Sequence, residues 1–346
     1  MEPNLSERDK KVLAAVVEEF VQSAEPVGSR HLARKHGLGV SPATVRNVMA
    51  DLEEWGYLYQ PHTSAGRKPT DRGYRYYVDS LMCPGSLGAA DRRRLRSGLA
   101  SGETTDIEGL LESTSRVLSS AAGQVGLVAA PRFEASVFRH IDFVLLRPGR
   151  VLVVLVSQSG VVHHRPVLAP EIDTQPDLDR MANYLNELLA GLPLGQVKER
   201  IVAEMANEVA LYDSLLQRAL ELGSLAMGDP EPEGDLYLGD PVVLLAQPEF
   251  NSADRMKHLF EAFEKKGLIL KLLERAGEAP SRQVLIGEEN PLADLRGCSL
   301  VTAPYSRHGR VLGSVGVLGP TRMDYRRVVG LVDYTARLLG GIFDTV

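Results

Sequence analysis

The chain is poor in the residues that build cross-linked or metal-held folds. Its 346 residues include two cysteines, Cys83 and Cys298. No CxxC pair and no Cys/His ligand spacing accompanies them, which argues against a disulfide framework or a structural zinc. Each is expected to be a buried or inert thiol. Long apolar runs are also missing. The strongest, Val151 to Val156, is far too short to cross a bilayer, and no N-terminal run resembles a signal peptide, so a cytoplasmic protein without membrane attachment is expected. Nucleophile elbow, P-loop, dinucleotide fingerprint and zincin helix are all lacking. Two adjacent pairs, Glu288-Glu289 and His163-His164, could suggest chemistry. Neighbours along a strand point to opposite faces, so neither pair converges on one substrate or metal. No catalysis and no cofactor or metal are expected; Glu288, Glu289 and Asn290 are read as a domain contact or turn.

The composition that is present, 44% hydrophobic and 24% charged, is ordinary for a folded soluble chain long enough for two or three domains. Its net charge is −6, yet Gly28 through Arg75 carries eight Lys and Arg against four Asp and Glu. A local positive excess in a net-acidic protein suits nucleic-acid binding through one patch, because phosphate contacts supply much of the affinity and set the register.

That basic stretch has the punctuation of a helix-turn-helix. Ser29 to His36 and Ser41 to Trp55 read as helices about the turn Gly37-Leu38-Gly39-Val40. Ser41 is placed as an N-cap and Pro42 at the first helical position, where its missing N–H costs nothing. Val45, Val48, Met49 and Leu52 repeat on one buried face, which turns Ala43, Thr44, Arg46 and Asn47 outward. These four sit at the helix N-terminus, the end that meets base edges in such modules. Arg can bond guanine bidentately, Asn can do the same to adenine, and Ala or Thr can touch a thymine methyl. Either polar residue alone would be read as an ordinary solvated face; the preceding turn and following basic segment reverse that reading. Tyr57 to Gln60 is expected as a short strand and His62 to Lys68 as a hairpin tip followed by charge, together a wing. Arg30, Ser41, His62, Thr63, Arg67 and Lys68 are expected to meet phosphates or the minor groove.

A helix capped by Ser6 with Val12, Leu13, Val16, Val17 and Phe20 on its apolar face completes a three-helix core. A further helix over Thr70 to Leu81 breaks at Cys83-Pro84-Gly85-Ser86, closing a first domain at residues 1–83. Residues 84–103, with a short helix around Asp91 to Leu99, are read as a linker, and Arg92-Arg93-Arg94 as solvated charge. A helix from Thr105 to Ala122 precedes strands at Val125 to Ala130, Phe138 to Leu146, Val151 to Val156 and Val161 to Leu168, the last three joined as a meander. Strands return at Gln283 to Ile286, Ser299 to Tyr305 and Val311 to Leu318. Between them, helices are expected over Leu178 to Leu189, Gln196 to Ala226 and Ala253 to Arg275, with Leu236 to Ala246 extended. An α+β domain in two parts, 104–170 and 280–346, interrupted by a mainly helical insert at 171–279, accounts for this order.

The stretch PVGSRHLARKHGLGVSPATVRN, continued by MADLEEWGYLYQPHTSAGRKPTDRGYRYYVD, resembles the N-terminal signature of the HrcA family of heat-inducible transcription repressors. QPEF at Gln247 to Phe250, IGEEN at Ile286 to Asn290 and GPTRMDYRRV at Gly319 to Val328 extend the resemblance over nearly the full length. It implies a multidomain α+β chain: an N-terminal winged helix-turn-helix, a GAF-like α/β domain, and a dimerisation domain inserted into the GAF-like one. It also implies a homodimer that represses chaperone operons at a CIRCE-type inverted-repeat operator, with the chaperonin as the partner that helps the repressor reach its active form. Val48 and Trp55 depart from the family pattern, where an acidic residue and a smaller apolar one are frequent; altered packing without a change of role is expected.

A rival reading makes the GAF-like domain a sensor of a small effector. Gly313, Gly316 and Gly319 lead into Thr321, an expected N-cap with Asp324 three residues on, and helix N-termini bind anions. A capped helix after a tight turn is the favoured reading, with Arg322 and Asp324 as an ion pair beside it.

Overall fold

The computed structural model describes residues 5–62, 65–82, 87–100, 107–131, 137–158, 160, 162–170, 172, 174–205, 214–226, 236–250, 253–278 and 281–345. Thr63 and Cys83 lie outside them, as do the break at 83–86 and the middle of the expected helix from Gln196 to Ala226.

The N-terminal module opens with α1 (Glu7–Ser23), begun by a reciprocal capping box between Ser6 and Asp9. α2 (Ser29–Lys35) and α3 (Pro42–Glu54) follow. Two-residue strands β1 (Leu58–Tyr59) and β2 (Lys68–Pro69) pair antiparallel, with Leu58 opposite Pro69 and Tyr59 opposite Lys68. α4 (Asp71–Tyr76) is capped by the Thr70 hydroxyl and runs into a π turn, Tyr77–Leu81. Val12, Leu13, Val16, Leu32, Val45, Met49 and Leu52 fill the space between the first three helices.

The body is a five-stranded antiparallel sheet in the order β7-β3-β10-β9-β8, built from β3 (Val125–Ala129), β7 (Leu236–Leu238), β8 (Gln283–Ile286), β9 (Cys298–Arg307) and β10 (Arg310–Pro320). Alternation along β3 sends Val125, Leu127 and Ala129 to one face and Val128 to the other. Both faces are covered. α5 (Ala89–Ala100), α6 (Ile107–Ala122) and the C-terminal α12 (Tyr325–Thr345) lie on one side; α10 (Ala253–Glu264) and α11 (Lys266–Glu278) lie on the other. Residues 84–103, expected as a linker, therefore contribute a packed helix. Leu95 is fully buried, and Asp91 accepts two bonds of 3.0 Å from Arg327.

The meander is a sheet of its own. β4 (Phe138–Arg147), β5 (Arg150–Ser157) and β6 (Val162–Leu168) pair in sequence and pack their Phe138, Ile141, Phe143, Val151, Val153 and Leu155 against α7 (Gln175–Leu189), α8 (Leu194–Met205) and α9 (Ser214–Ala226). This core is separate from those flanking the main sheet. The meander shares its core with α7 to α9, which we propose together as the inserted unit in place of residues 171–279, whereas α10 and α11 pack on the body, where Leu259, Phe263, Ile269, Leu270 and Leu273 face Leu127, Leu300 and Leu318. Leu236 to Ala246 is only partly extended: β7 adds to the main sheet beside β3, and Pro241–Ala246 winds into a 3-10 turn under the Asp240 cap.

Candidate nucleic-acid interface

α3 begins as its sequence requires. The Ser41 hydroxyl accepts from the Thr44 N–H at 3.1 Å with Pro42 in the first turn. Val45, Val48, Met49 and Leu52 are buried. Ser41, Ala43, Arg46 and Asn47 are exposed, and Thr44 is half-buried with its hydroxyl 3.0 Å from that of Ser41. Val48 and Trp55, the two departures from the family pattern, both pack into the module core.

The hairpin is fastened to the helices on two sides. Val27, just before α2, exchanges two 2.9 Å backbone bonds with Arg67. The Arg67 side chain then turns to α3, where Nε and Nη2 each lie 2.9 Å from Glu53 Oε2. Its side chain is only 15% exposed. Arg67, expected at phosphates, is paired with Glu53 in this structure and braces the wing. Lys68 is half-buried with Nζ 5.3 Å from the centre of the Phe20 ring. His62 is exposed at the tip, where Ala65 N–H donates to its carbonyl at 2.8 Å.

Arg30 and Arg34 are exposed on α2. With Arg46 they make no ion pair among the described residues, and Arg34 escaped the sequence reading. Other cations of the basic stretch serve the fold. Lys35, His31 and His36 converge on the nearly buried Glu19 carboxylate of α1 at 2.8, 2.9 and 3.2 Å. The Lys35 hydrogen bond, aided by His36 and His31 against the cost of burial, holds Glu19 down at about 2. This lock between α1 and α2 also escaped the sequence reading. Its one signal was an acidic residue lying within the apolar stripe that contains Val16 and Phe20.

A second group of residues holds the module to the body. Arg75 of α4 donates to Glu289 at 2.8 Å and also to Val284 O. Asp71 accepts from the Glu288 N–H at 3.0 Å. Asn290 is buried; its backbone N–H closes the turn on Gly287 O at 3.0 Å, and its side-chain amide donates to Cys298 O of β9 at 2.7 Å. The expectation that Glu288 to Asn290 form a contact or turn is met on both counts. Arg322 does not pair with Asp324. Its guanidinium bonds Glu249 and Gln247 and donates to Val21 O of α1 at 2.7 Å. Asp324, not Thr321, caps α12, accepting from Arg327 N–H at 3.1 Å. Thr321 instead presents its carbonyl to the Tyr325 hydroxyl at 2.7 Å.

The glycines of the effector reading have packing reasons. A Cβ at Gly316 would meet Val301 O at 2.9 Å, and one at Gly319 would meet Gln124 at 2.4 Å. A cavity beside Gly313, lined by Ala129, Leu273 and Ser314, measures about 10 Å³, room for about one water. Burial pushes the Cys298 thiol up to about 12, in keeping with an inert thiol. Among the described residues no helix is long and apolar enough to cross a membrane.

Comparison with known proteins places the chain among transcription repressors. A family model described as the HrcA protein C-terminal domain matches residues 108–329. The heat-inducible transcription repressor HrcA of Geobacter sulfurreducens is 47% identical over 99% of both chains. Its namesake from Syntrophobacter fumaroxidans is 43% identical over 99% of this chain and 98% of its own. A solved structure described as a hypothetical protein superposes over 99% of both chains with a TM-score of 0.61 at 21% identity, a likeness of fold. The chain belongs to the HrcA family of heat-inducible transcription repressors, a family of regulators and not of enzymes.

Proposed function

We propose that this chain represses heat-shock chaperone operons by binding a CIRCE-type inverted repeat as a homodimer through its winged helix, in the cytoplasm, with its active fraction set by the availability of chaperonin. The outward face of α3 carries this reading. Ala43, Thr44, Arg46 and Asn47 stand at a capped helix N-terminus, and their donors, acceptor and methyl groups match base edges in the major groove. Arg30, Ser41, His62, Thr63 and Lys68 would add backbone or minor-groove contacts, while Arg67 sets the angle of the wing.

A two-fold dimer presents two such helices to two half-sites, which favours a palindromic operator. The inserted unit supplies a surface for that dimer: the outer face of its three-stranded sheet exposes Val144, Val162 and Leu168 beside His164. The test is binding of the purified chain to a CIRCE-type inverted repeat and to a scrambled duplex at physiological salt, with and without chaperonin. Selective binding that improves with chaperonin is expected. Equal, weak binding to both duplexes with chaperonin present would overturn the reading.

A further inference from the structure

Three motifs far apart in the chain converge on one seam, between the N-terminal module and the body. Gln247 and Glu249 come from the first, Gly287 to Glu289 from the second, and Arg322 and Tyr325 from the third. Arg322 is the centre of one half. It is 12% exposed at its side chain and spans α1 and the 3-10 segment Pro248–Phe250. Val21 O, which it caps, is one of the last four carbonyls of α1, groups that a helix cannot satisfy internally. That last turn has no cation of its own, so the charge favoured by the negative end of the helix dipole arrives from 301 residues away. The other half joins Arg75 to Glu289 and Asp71 to the Glu288 N–H. Gly287, at φ +53°, belongs to it because a Cβ there would lie 1.9 Å from the Asp71 carboxylate. Between the halves the rings of Tyr74 and Tyr325, both buried, stand 5.7 Å apart, with the Tyr325 hydroxyl 2.7 Å from that of Ser299.

Such a seam is not a tether. Apolar contact, aromatic contact and charge-assisted bonds at both ends leave the module one seat on the body. Apolar packing alone tolerates sliding and rotation, whereas a guanidinium held by a carboxylate, an amide and a helix carbonyl does not. We propose that Arg322 is a positioning residue that fixes where the recognition helix points relative to the dimer body, and so determines which spacing of two half-sites one dimer can span. Arg322 touches no base in this scheme. Glu249 holds it in place, and Arg75 with Glu289 sets the second fixed point of the seat. This inference rests on the proposed binding of an inverted repeat.

The experiment uses the full chain, Arg322→Ala and Arg322→Lys, and measures binding to a duplex with a single half-site, to a CIRCE-type inverted repeat, and to repeats whose spacer is changed by about 5 or 10 base pairs, half or one helical turn. For Arg322→Ala, affinity for the unaltered repeat should fall roughly tenfold, about 1.4 kcal/mol. Half-site binding should stay within about twofold, and preference for the native spacer should flatten. Arg322→Lys, which keeps the charge near Val21 O, should restore part of the preference. Glu289→Gln should show the same pattern more weakly, providing a second reading if Arg322→Ala folds poorly. Native spacer preference in Arg322→Ala, or parallel loss of half-site and repeat binding, would overturn the positioning role. A wild-type chain that does not distinguish the repeat from a scrambled duplex would overturn the operator reading itself, and with it this inference.

Discussion

The N-terminal module and the inserted unit are attached to the same body in opposite ways. The module's core runs without a break from Val12 and Leu52 through Tyr74 to Tyr325 and the face of the main sheet under α5, α6 and α12, and hydrogen bonds pin its edges. The inserted unit closes its own core around Phe143, Val153 and Leu185. On the proposed function the difference has a reason: a module that is to read a surface of fixed pitch gains from a rigid seat, whereas a unit proposed to meet a second copy needs only its own integrity.

Core truncations should break this comparison most sharply. Leu52→Ala in the module and Leu185→Ala in the insert each empty a fully buried site and should each cost about 2–5 kcal/mol. Thermal unfolding with two probes should separate them: Leu52→Ala lowers DNA binding along with global stability, whereas Leu185→Ala loosens the insert and leaves half-site binding near wild type. Equal loss of half-site binding in both would show that the two cores are not independent.

Next in size is the Glu19 lock. Its carboxyl is depressed in the folded chain from 4.5 to about 2, so its stabilisation is complete above about pH 4.5 and is lost as pH falls towards 2. Glu19→Gln should destabilise the chain by about 1–3 kcal/mol at pH 7, and its deficit against wild type should shrink between pH 4.5 and 2 in denaturant titrations. A deficit that stayed constant over that window would count against the lock.

Effects on DNA binding sharpen the module's own anatomy. Arg46→Ala should weaken operator binding by about 1–3 kcal/mol and relax base preference at one position of each half-site; unchanged binding would mean that α3 is wrongly placed as the reading helix. Lys68→Ala should weaken all duplexes alike and flatten the salt slope by about one. Because the Arg67 charge is already spent on Glu53, Arg67→Ala should alter that slope less than Lys68→Ala, a contrast that salt titrations of both variants would check.

Much of the module was legible because its signals are local. Ser41, Pro42 and the spacing of Val45, Val48, Met49 and Leu52 specify a helix start and a buried face within a dozen residues, whatever lies elsewhere. Strand positions in the body were equally readable from short apolar runs bounded by turns. Which sheet each strand joins was not, since a strand's own residues do not specify its partner: β10 pairs with β9 and with β3, nearly two hundred residues earlier, while β4 pairs with its neighbour β5. The same limit hid the roles of Arg67, Glu19 and Arg322. Each was visible as a charge, but its counter-charge lies 14 to 73 residues away, and no periodicity relates positions brought together by packing.

By itself, then, the sequence determined the caps of α1 and α3, the apolar faces, the exposed chemistry of α3 and, through its motifs, the family. Only tertiary structure decided which core the meander joins, which cations remain unpaired among the described residues, and that three distant motifs form one seam. The physical reason is the range of the forces involved. Capping and amphipathic patterning act within one or two helical turns, while burial and ion pairing are settled by whichever surfaces the folded chain brings into contact.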